Sequence, residues 1–309
     1  MLTYVLRRLL QMIPVVIGAT FLIFTLVYAL PGEPWEGRCG ERDCPDSYIE
    51  KFKQDYNLDK PLLVQYALYL GKLLKGDLGT NFYGNTVTSE LAIRYPTTMK
   101  LALIAVLVTI VLGIAAGILS GIRRGSFIDS LVTVSTLVVI SIPIFVIGTS
   151  AQFAILKLDL NDIIPVTASQ GTFQQLILPG VVLGSLSVAY VARLTRTNLA
   201  ENLRADYVRT AKAKGLTRGR TIGVHTLRNS MIPVITFIGY DIGNLMGGAI
   251  VTERIFNING IGGFIFNAIN TSDGVSVVGA VTVLVLIYLL TNLVVDVLYG
   301  VLDPRISHD

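Results

Sequence analysis

Long uncharged apolar runs dominate the amino-acid sequence. Five runs of 17 to 26 residues contain no Asp, Glu, Lys or Arg. A sixth run of 22 residues contains one charged residue, Asp241. Each run has close to the roughly 20 residues that a helix needs to cross the hydrocarbon core of a bilayer. The pattern predicts six membrane-spanning helices, at Leu9 to Leu30, Leu101 to Ser120, Leu131 to Leu156, Leu176 to Ala192, Met231 to Thr252 and Val275 to Val295.

The composition supports this prediction. Of the 309 residues, 52% are apolar and 15% are charged, and the mean hydropathy is +0.64. A soluble domain usually carries about 25% charged residues. These values exclude a secreted, a fibrous and a soluble nucleic-acid-binding protein. They indicate an all-α integral membrane protein whose surroundings are the lipid bilayer and which has no nucleic-acid partner.

The distribution of basic residues predicts the topology. Arg pairs precede the first run and follow the second, and residues 193–228 carry nine Lys or Arg against two acids. Lys and Arg accumulate in the cytoplasmic loops of membrane proteins. With six spans, this rule places all three basic segments and both termini on the cytoplasmic side of a multi-pass cell-membrane protein. Residues 31–98, with ten acids and eight bases, then form an extracytoplasmic loop.

The predicted extracytoplasmic loop contains two helix-like segments and both cysteines. Ser47 and Glu50 have the spacing of a helix capping box, and Leu62 to Leu74 repeats apolar residues at helical spacing. The loop is therefore either a small packed subdomain or a direct docking surface. Cys39 and Cys44 lie in an oxidising compartment in this topology, which favours a disulfide over two free thiols.

Motifs for catalysis and metal binding are absent from the sequence. It has no G-x-x-x-x-G-K-[ST] phosphate loop, no H-E-x-x-H segment and no G-x-S-x-G segment. Its two isolated histidines cannot build a zinc site. We therefore expect a chain that is not an enzyme and binds no cofactor or metal. Any energy for its work must come from a partner or an ion gradient.

The fifth run combines small and polar residues. Gly239, Gly243 and Gly247 recur every four residues, which places them on one helical face where another helix can approach closely. Asp241 lies about 200° from Gly239 around the helix, and Asn244 follows on the same side. Because an ionisable residue at this depth is costly in lipid, we interpret Asp241 and Asn244 as part of a translocation path. A structural hydrogen bond to a neighbouring helix is the alternative.

Two other runs carry signals for packing and bending. Gly113, Gly117 and Gly121 form a second small-residue stripe, which we interpret as a packing surface. Pro143 predicts a kink in the third span, because proline cannot donate the helical hydrogen bond.

Residues 206–216 hold the sharpest motif in the chain. They read Asp-Tyr-Val-Arg-Thr-Ala-Lys-Ala-Lys-Gly-Leu, which are good helix formers followed by a glycine where a helix would stop. The pattern predicts a short helix across the cytoplasmic face. A basic membrane anchor would explain the charges but not the placement of Ala and Gly. The segment resembles the EAA coupling loop of ABC importer permeases, in the form found in the dipeptide, oligopeptide and nickel permease family.

The resemblance extends over nearly the whole chain. The matching segments are Arg7-Arg-Leu-Leu-Gln-Met-Ile-Pro14, Ala29-Leu-Pro-Gly-Glu-Pro34, Tyr56-Asn-Leu-Asp-Lys-Pro61, Gln65-Tyr66, Gly76-Asp-Leu-Gly79, Glu253-Arg-Ile-Phe256 and Leu302-Asp-Pro-Arg305. The chain departs from the family at Asn259, where proline is common, and at Asp241, where glutamine is frequent.

This resemblance implies a type I ABC importer permease with one six-helix domain over residues 1–309 and a coupling loop at residues 193–230. The implied partners are a second homologous permease, two cytoplasmic ABC ATPases that use ATP and Mg²⁺, and an extracytoplasmic substrate-binding protein. Peptides are the expected cargo, with nickel, glutathione and sugars as alternatives. The residues implied to contact an ATPase are Tyr207, Arg209, Thr210, Ala211, Ala213 and Gly215.

Two other classes of membrane protein remain as alternatives. A secondary transporter would use Asp241 as a proton or sodium site and often shows an inverted repeat. A receptor or assembly subunit would use the outer loop for binding without transport. ATP dependence of uptake distinguishes an importer permease from the first class. Loss of uptake when this protein is deleted distinguishes it from the second.

Overall fold

The computed structural model describes residues 2–28, 35, 39 and 44–302, and within these residues the regular structure is helical, without β-strands. Two π-helical turns, Thr109–Gly113 and Thr221–Thr226, lead directly into helices. The α-helices are α1 (Leu2–Tyr28), α2 (Asp46–Asp55), α3 (Leu62–Leu73), α4 (Val87–Val108), α5 (Ile114–Ile122), α6 (Phe127–Ser141), α7 (Ile144–Lys157), α8 (Phe173–Asn202), α9 (Asp206–Ala213), α10 (Arg218–Arg220), α11 (Leu227–Ile255), α12 (Ile261–Asn270) and α13 (Gly274–Leu302).

Several of these helices can cross a membrane. In the described part of the chain, four stretches are long and apolar enough: Leu6–Tyr28, Val87–Ile122, Phe173–Asn202 and Gly274–Val297. The pair α6 and α7 and the bent segment from Arg218 to Ile255 raise the number to six if each is one span. The prediction of an all-α membrane protein is confirmed, and the count of six spans stays a prediction.

The third predicted span, Leu131 to Leu156, is broken in the middle. Helices α6 and α7 meet at 106°, and Pro143 stands immediately before α7. Ile142 is extended, with φ −98° and ψ 127°, because a proline pushes the preceding residue out of the helical region. The predicted kink at Pro143 is confirmed, and it is a break between two helices and not a bend within one.

Two helices extend beyond the predicted spans, because charged residues limited the predicted spans but do not end the helices. Helix α4 begins at Val87, inside the predicted extracytoplasmic loop of residues 31–98, and the bounds of the loops relative to the membrane stay predictions. Glu90 and Arg94 form an ion pair four residues apart along this helix, a spacing that supports a helix. Helix α8 likewise continues to Asn202, which narrows the segment between α8 and α11 to residues 203–226.

Short helices occupy the segment between α1 and α4. The apolar pattern from Leu62 predicts α3 to within one residue at its end. The capping box predicted at Ser47 is wrong, because α2 begins at Asp46 after Pro45 and has no side-chain cap. Cys39 and Cys44 are paired as a disulfide, with their Cα atoms 5.3 Å apart.

The chain divides into two compact units, and the first comprises residues 1–98 and 259–309. Helix α1 packs along α13, and Arg8 near the start of α1 lies 3.4 Å from the carboxylate of Asp296 near the end of α13. The two helices are therefore antiparallel. Tyr66 ties α3 to α1, since its hydroxyl donates to the Ile17 carbonyl at 2.8 Å and also lies 2.8 Å from Thr20 Oγ1.

The second unit, residues 99–258, is built around α8. A Cβ atom added at Gly113 would lie 2.8 Å from Val191, and one added at Gly117 would lie 2.6 Å from the Ala192 carbonyl oxygen. The third glycine of this stripe, Gly121, also faces the backbone and side chains of α8. The predicted packing role of the stripe is confirmed, because the two helices approach more closely than any larger residue permits.

We predict that Gly117→Leu lowers the free energy of unfolding by at least about 2 kcal/mol, since overpacking forces helices apart and the obstacle here includes backbone. Gly18→Leu is the control, because Gly18 is helical and exposed and nothing lies within 4 Å of an added Cβ. Thermal unfolding in detergent, followed by circular dichroism, measures the difference. Equal stability of the two variants would contradict the packing role.

Candidate functional site

Helix α9 forms where the sequence motif predicts it. Asp206 lies in the first turn, where a carboxylate interacts favourably with the helix dipole. Gly215 follows the helix with φ +80°, a conformation that favours glycine. The Gly215 amide donates to the Lys212 carbonyl at 2.9 Å, and the Leu216 amide donates to the Ala211 carbonyl at 3.2 Å. Gly215 therefore acts through its backbone conformation, because no atom lies within 4 Å of an added Cβ.

The two faces of α9 have different surroundings. Val208 is fully buried and Ala211 is 8% exposed, and the helix packs on the π-helical turn at Thr221–Thr226. The other predicted contact residues of this segment, Tyr207, Arg209, Thr210, Ala213 and Gly215, are exposed. Ala211 therefore packs the helix against its own chain, and the partner contacts of this segment stay a prediction.

A chain of hydrogen bonds joins α9 to two long helices. The Tyr207 hydroxyl donates to Asn202 Oδ1 at the end of α8, at 2.9 Å. Asn202 Nδ2 donates to the Ser230 hydroxyl in α11, at 3.1 Å. Ser230 is fully buried and donates in turn to the Thr226 carbonyl at 2.8 Å. The short helix, the end of α8 and the start of α11 are therefore linked side chain to side chain.

Asp129 forms a second connection at α8, and sequence reasoning missed it. The guanidinium of Arg196 donates to both carboxylate oxygens of Asp129, at 2.8 Å for the second, and the Ser120 hydroxyl and Gly125 amide donate as well. The side chain of Asp129 is 6% exposed. This ion pair fastens the turn between α5 and α6 to α8. The S-x-x-D spacing of Ser126 and Asp129 marks the start of α6, where Ser126 caps the helix. This spacing could have singled out Asp129 in the sequence, but not its partner Arg196.

The packed face of α11 coincides only in part with the glycine stripe, because Gly243 is buried and Gly239 is half-buried. Its buried positions recur every three or four residues, at Val234, Ile238, Asp241, Leu245 and Ala249. Such spacing is that of one helical face.

Asp241 thus lies on the packed face of α11, beside Ser187 of α8, and is 8% exposed. Asn244 is exposed. Gly247 is exposed with nothing within 4 Å of an added Cβ, so the prediction that this stripe packs on another helix is wrong for Gly247 within the chain. A path role for Asp241 and Asn244 stays a prediction.

Comparison with known proteins gives the family. Residues 110–308 match the family described as "Binding-protein-dependent transport system inner membrane component". Residues 1–102 match "Binding-prot-dependent transport system membrane comp, N-term". The chain belongs to this permease family. The resemblance to ABC importer permeases, read from the coupling motif, is confirmed, and the family consists of membrane permeases and not enzymes.

Full-length relatives are similar to the permease from end to end. The dipeptide transport system permease protein DppB of Alkalihalophilus pseudofirmus is 37% identical, with 100% of both chains covered. The di/tripeptide transport system permease protein DppB of Pseudomonas aeruginosa is 38% identical over 100% of this chain and 99% of its own. The glutathione transport system permease protein GsiC of Salmonella paratyphi A is 35% identical, with 100% of both covered.

We predict that Asp129→Asn destabilises the permease by about 3 kcal/mol, because breaking a buried ion pair leaves a charge without its partner. Arg196→Ala should have a similar effect. Arg193→Ala, an exposed arginine one turn earlier on α8, is the control and should retain the parent stability. The midpoint of thermal unfolding in detergent measures all three. A parental midpoint for Asp129→Asn would show that the ion pair does not hold this turn.

Proposed function

We propose that the permease forms half of the membrane channel of an ATP-driven importer for short peptides. The family and the activities for which its relatives are named support this class of cargo, and glutathione, named for a third relative, is itself a tripeptide. In this proposal six spans of this chain and those of a second, homologous permease surround one passage. Both termini face the cytoplasm, which agrees with the antiparallel packing of α1 and α13.

The other partners follow from the same proposal. A substrate-binding protein delivers peptide from the extracytoplasmic side, and two ABC ATPases bind below the permeases in the cytoplasm. ATP and Mg²⁺ belong to the ATPases, and this chain binds no cofactor. No covalent chemistry is required of the permease, because alternating exposure of a passage releases the cargo.

The hydrogen-bond chain from Tyr207 through Asn202 to Ser230 is the structural observation that supports ATP-driven coupling in this proposal. A helix whose exposed face seats in an ATPase moves when the nucleotide-bound dimer closes. Because α9 is fastened to α8 and α11, that motion reaches two membrane helices directly. ATP binding then shifts the population between inward-open and outward-open states, to the extent that it favours one of them.

We predict that Ala213→Trp abolishes ATP-driven uptake while the chain remains inserted and stable. Ala213 is exposed on α9, so a bulky ring should obstruct the ATPase without disturbing the packed face. Uptake by reconstituted vesicles and co-purification of the ATPase should each fall at least tenfold. Thr197→Trp, exposed on α8 before this segment, is the control. Unchanged uptake and association in Ala213→Trp at equal expression would exclude α9 as the coupling element.

A further prediction concerns the passage. Asn244→Cys in the assembled importer, with Cys39 and Cys44 replaced by serine, should react with a small water-soluble thiol reagent. Asp241→Cys should react more slowly, because Asp241 is packed against α8. Ile238→Cys, also on the packed face, is the protected control. Faster labelling at Asp241→Cys than at Asn244→Cys would reverse this assignment.

A further inference from the structure

A cavity lies within the first unit, between the ends of two membrane helices and the helices α2 and α3. It has a volume of about 500 Å³, within the roughly 300–1,000 Å³ typical of small-molecule sites. Its apolar floor includes Phe24 of α1, Phe52 of α2 and Val278 of α13, each at most 4% exposed. The coupling and passage described above use none of these residues.

The rim of the cavity carries charges of both signs. Lys51 and Lys72 line it together with Asp55 and Asp77, and all four residues are exposed. Lys72 Nζ lies 3.0 Å from the Asp55 carbonyl oxygen and 5.6 Å from the centre of the Tyr56 ring. A ligand with a single negative charge would approach two carboxylates as well as two ammonium groups. The rim therefore matches a zwitterion better than an anion.

The position of the cavity identifies the kind of zwitterion. Tyr28 at the end of α1 and Val275 at the start of α13 both line it, and these are the ends of two stretches that can cross a membrane. In the topology proposed above, the cavity therefore lies at the depth of lipid headgroups. Aromatic residues such as Tyr28 are typical of this interface. Leu68 lines the cavity and also belongs to the exposed apolar face of α3, with Leu63 at 70% and Val64 at 43% exposed. Acyl chains can therefore lie against α3 while their headgroup enters the cavity.

The carboxylate of Asp55 favours a headgroup that can donate hydrogen bonds. Asp55 lines the cavity and is exposed at its rim, and an ionised carboxylate only accepts hydrogen bonds. An ethanolamine ammonium carries three N–H donors, whereas the quaternary ammonium of choline carries none. Ethanolamine is thus the zwitterionic headgroup with donors to offer here.

We propose that this cavity binds the headgroup of phosphatidylethanolamine, with Lys72 at the phosphate and Asp55 at the ammonium. The bound lipid joins α1, α3 and α13 at the membrane surface. In the topology proposed above, it comes from the extracytoplasmic leaflet. Lipid binding itself requires no ATPase and no cargo, so it can be tested separately from transport.

Native mass spectrometry of the full-length permease, purified in mild detergent and incubated with defined lipids, tests this assignment. The parent chain should retain phosphatidylethanolamine at least fivefold more than phosphatidylglycerol or phosphatidylcholine. Lys72→Met and Asp55→Asn should each remove this preference. Lys75→Met is the matched control, since Lys75 is an exposed lysine three residues along that does not line the cavity.

Three results would overturn the proposal: equal retention by Lys72→Met and Lys75→Met, equal retention of all three lipids by the parent chain, or displacement of the lipid by free glycyl-leucine. The last result would assign the cavity to a peptide. Thermal unfolding of each variant without added lipid separates loss of the site from loss of the fold. An unchanged midpoint with a lost lipid preference is the expected result.

Discussion

The close approach of α5 to α8 is the constraint on which the second unit depends. Three glycines spaced by four residues allow the helices to touch through backbone, with an added Cβ at Gly117 only 2.6 Å from a carbonyl oxygen. Lipid offers no hydrophobic gain for bringing two apolar helices together, so contact area and close packing must supply the attraction. Helix α8 also packs against α6 and α11. Its position therefore sets where each of these helices can lie.

Polar contacts near the end of α8 fix further helices to it, in addition to the packing that the glycines allow. Arg196 lies among the glycine contacts of this helix, since Gly121 faces the Arg196 carbonyl and Leu199. Asn202, less than two turns further on, bonds to α9 and α11. The ion pair of Arg196 with Asp129 holds the turn before α6 to the same stretch of helix. Within less than two turns, α8 thus collects contacts from α6, α9 and α11. A displacement of α9 acts on a stretch of helix already fastened to its neighbours, and this favours motion of α8 as a body over local bending.

Sequence patterns predicted the parts of this structure that depend on local chemistry. Apolar run length indicated the long apolar helices but not their ends. Glycine spacing predicted the contact between α5 and α8, and a single glycine predicted the end of α9. The errors occur where contacts between distant parts of the chain determine helix ends and side-chain partners. Charges at Lys100 and Arg193 limit predicted spans but do not end a helix, because their exposed side chains reach solvent from helical backbone. The Asp129 ion pair joins residues 67 positions apart, and no local pattern reveals such a pairing.

The face of α11 shows why a pattern within one helix leaves its neighbour undetermined. Glycine spacing marked a surface on which a helix could pack, and within this chain that surface is buried at Gly243 but exposed at Gly247. The buried positions of α11 also include Asp241, since α8 offers Ser187 beside that carboxylate and a polar residue in a membrane gains by facing a polar partner. The exposed strip that contains Asn244 and Gly247 is then the surface left for contacts outside this chain.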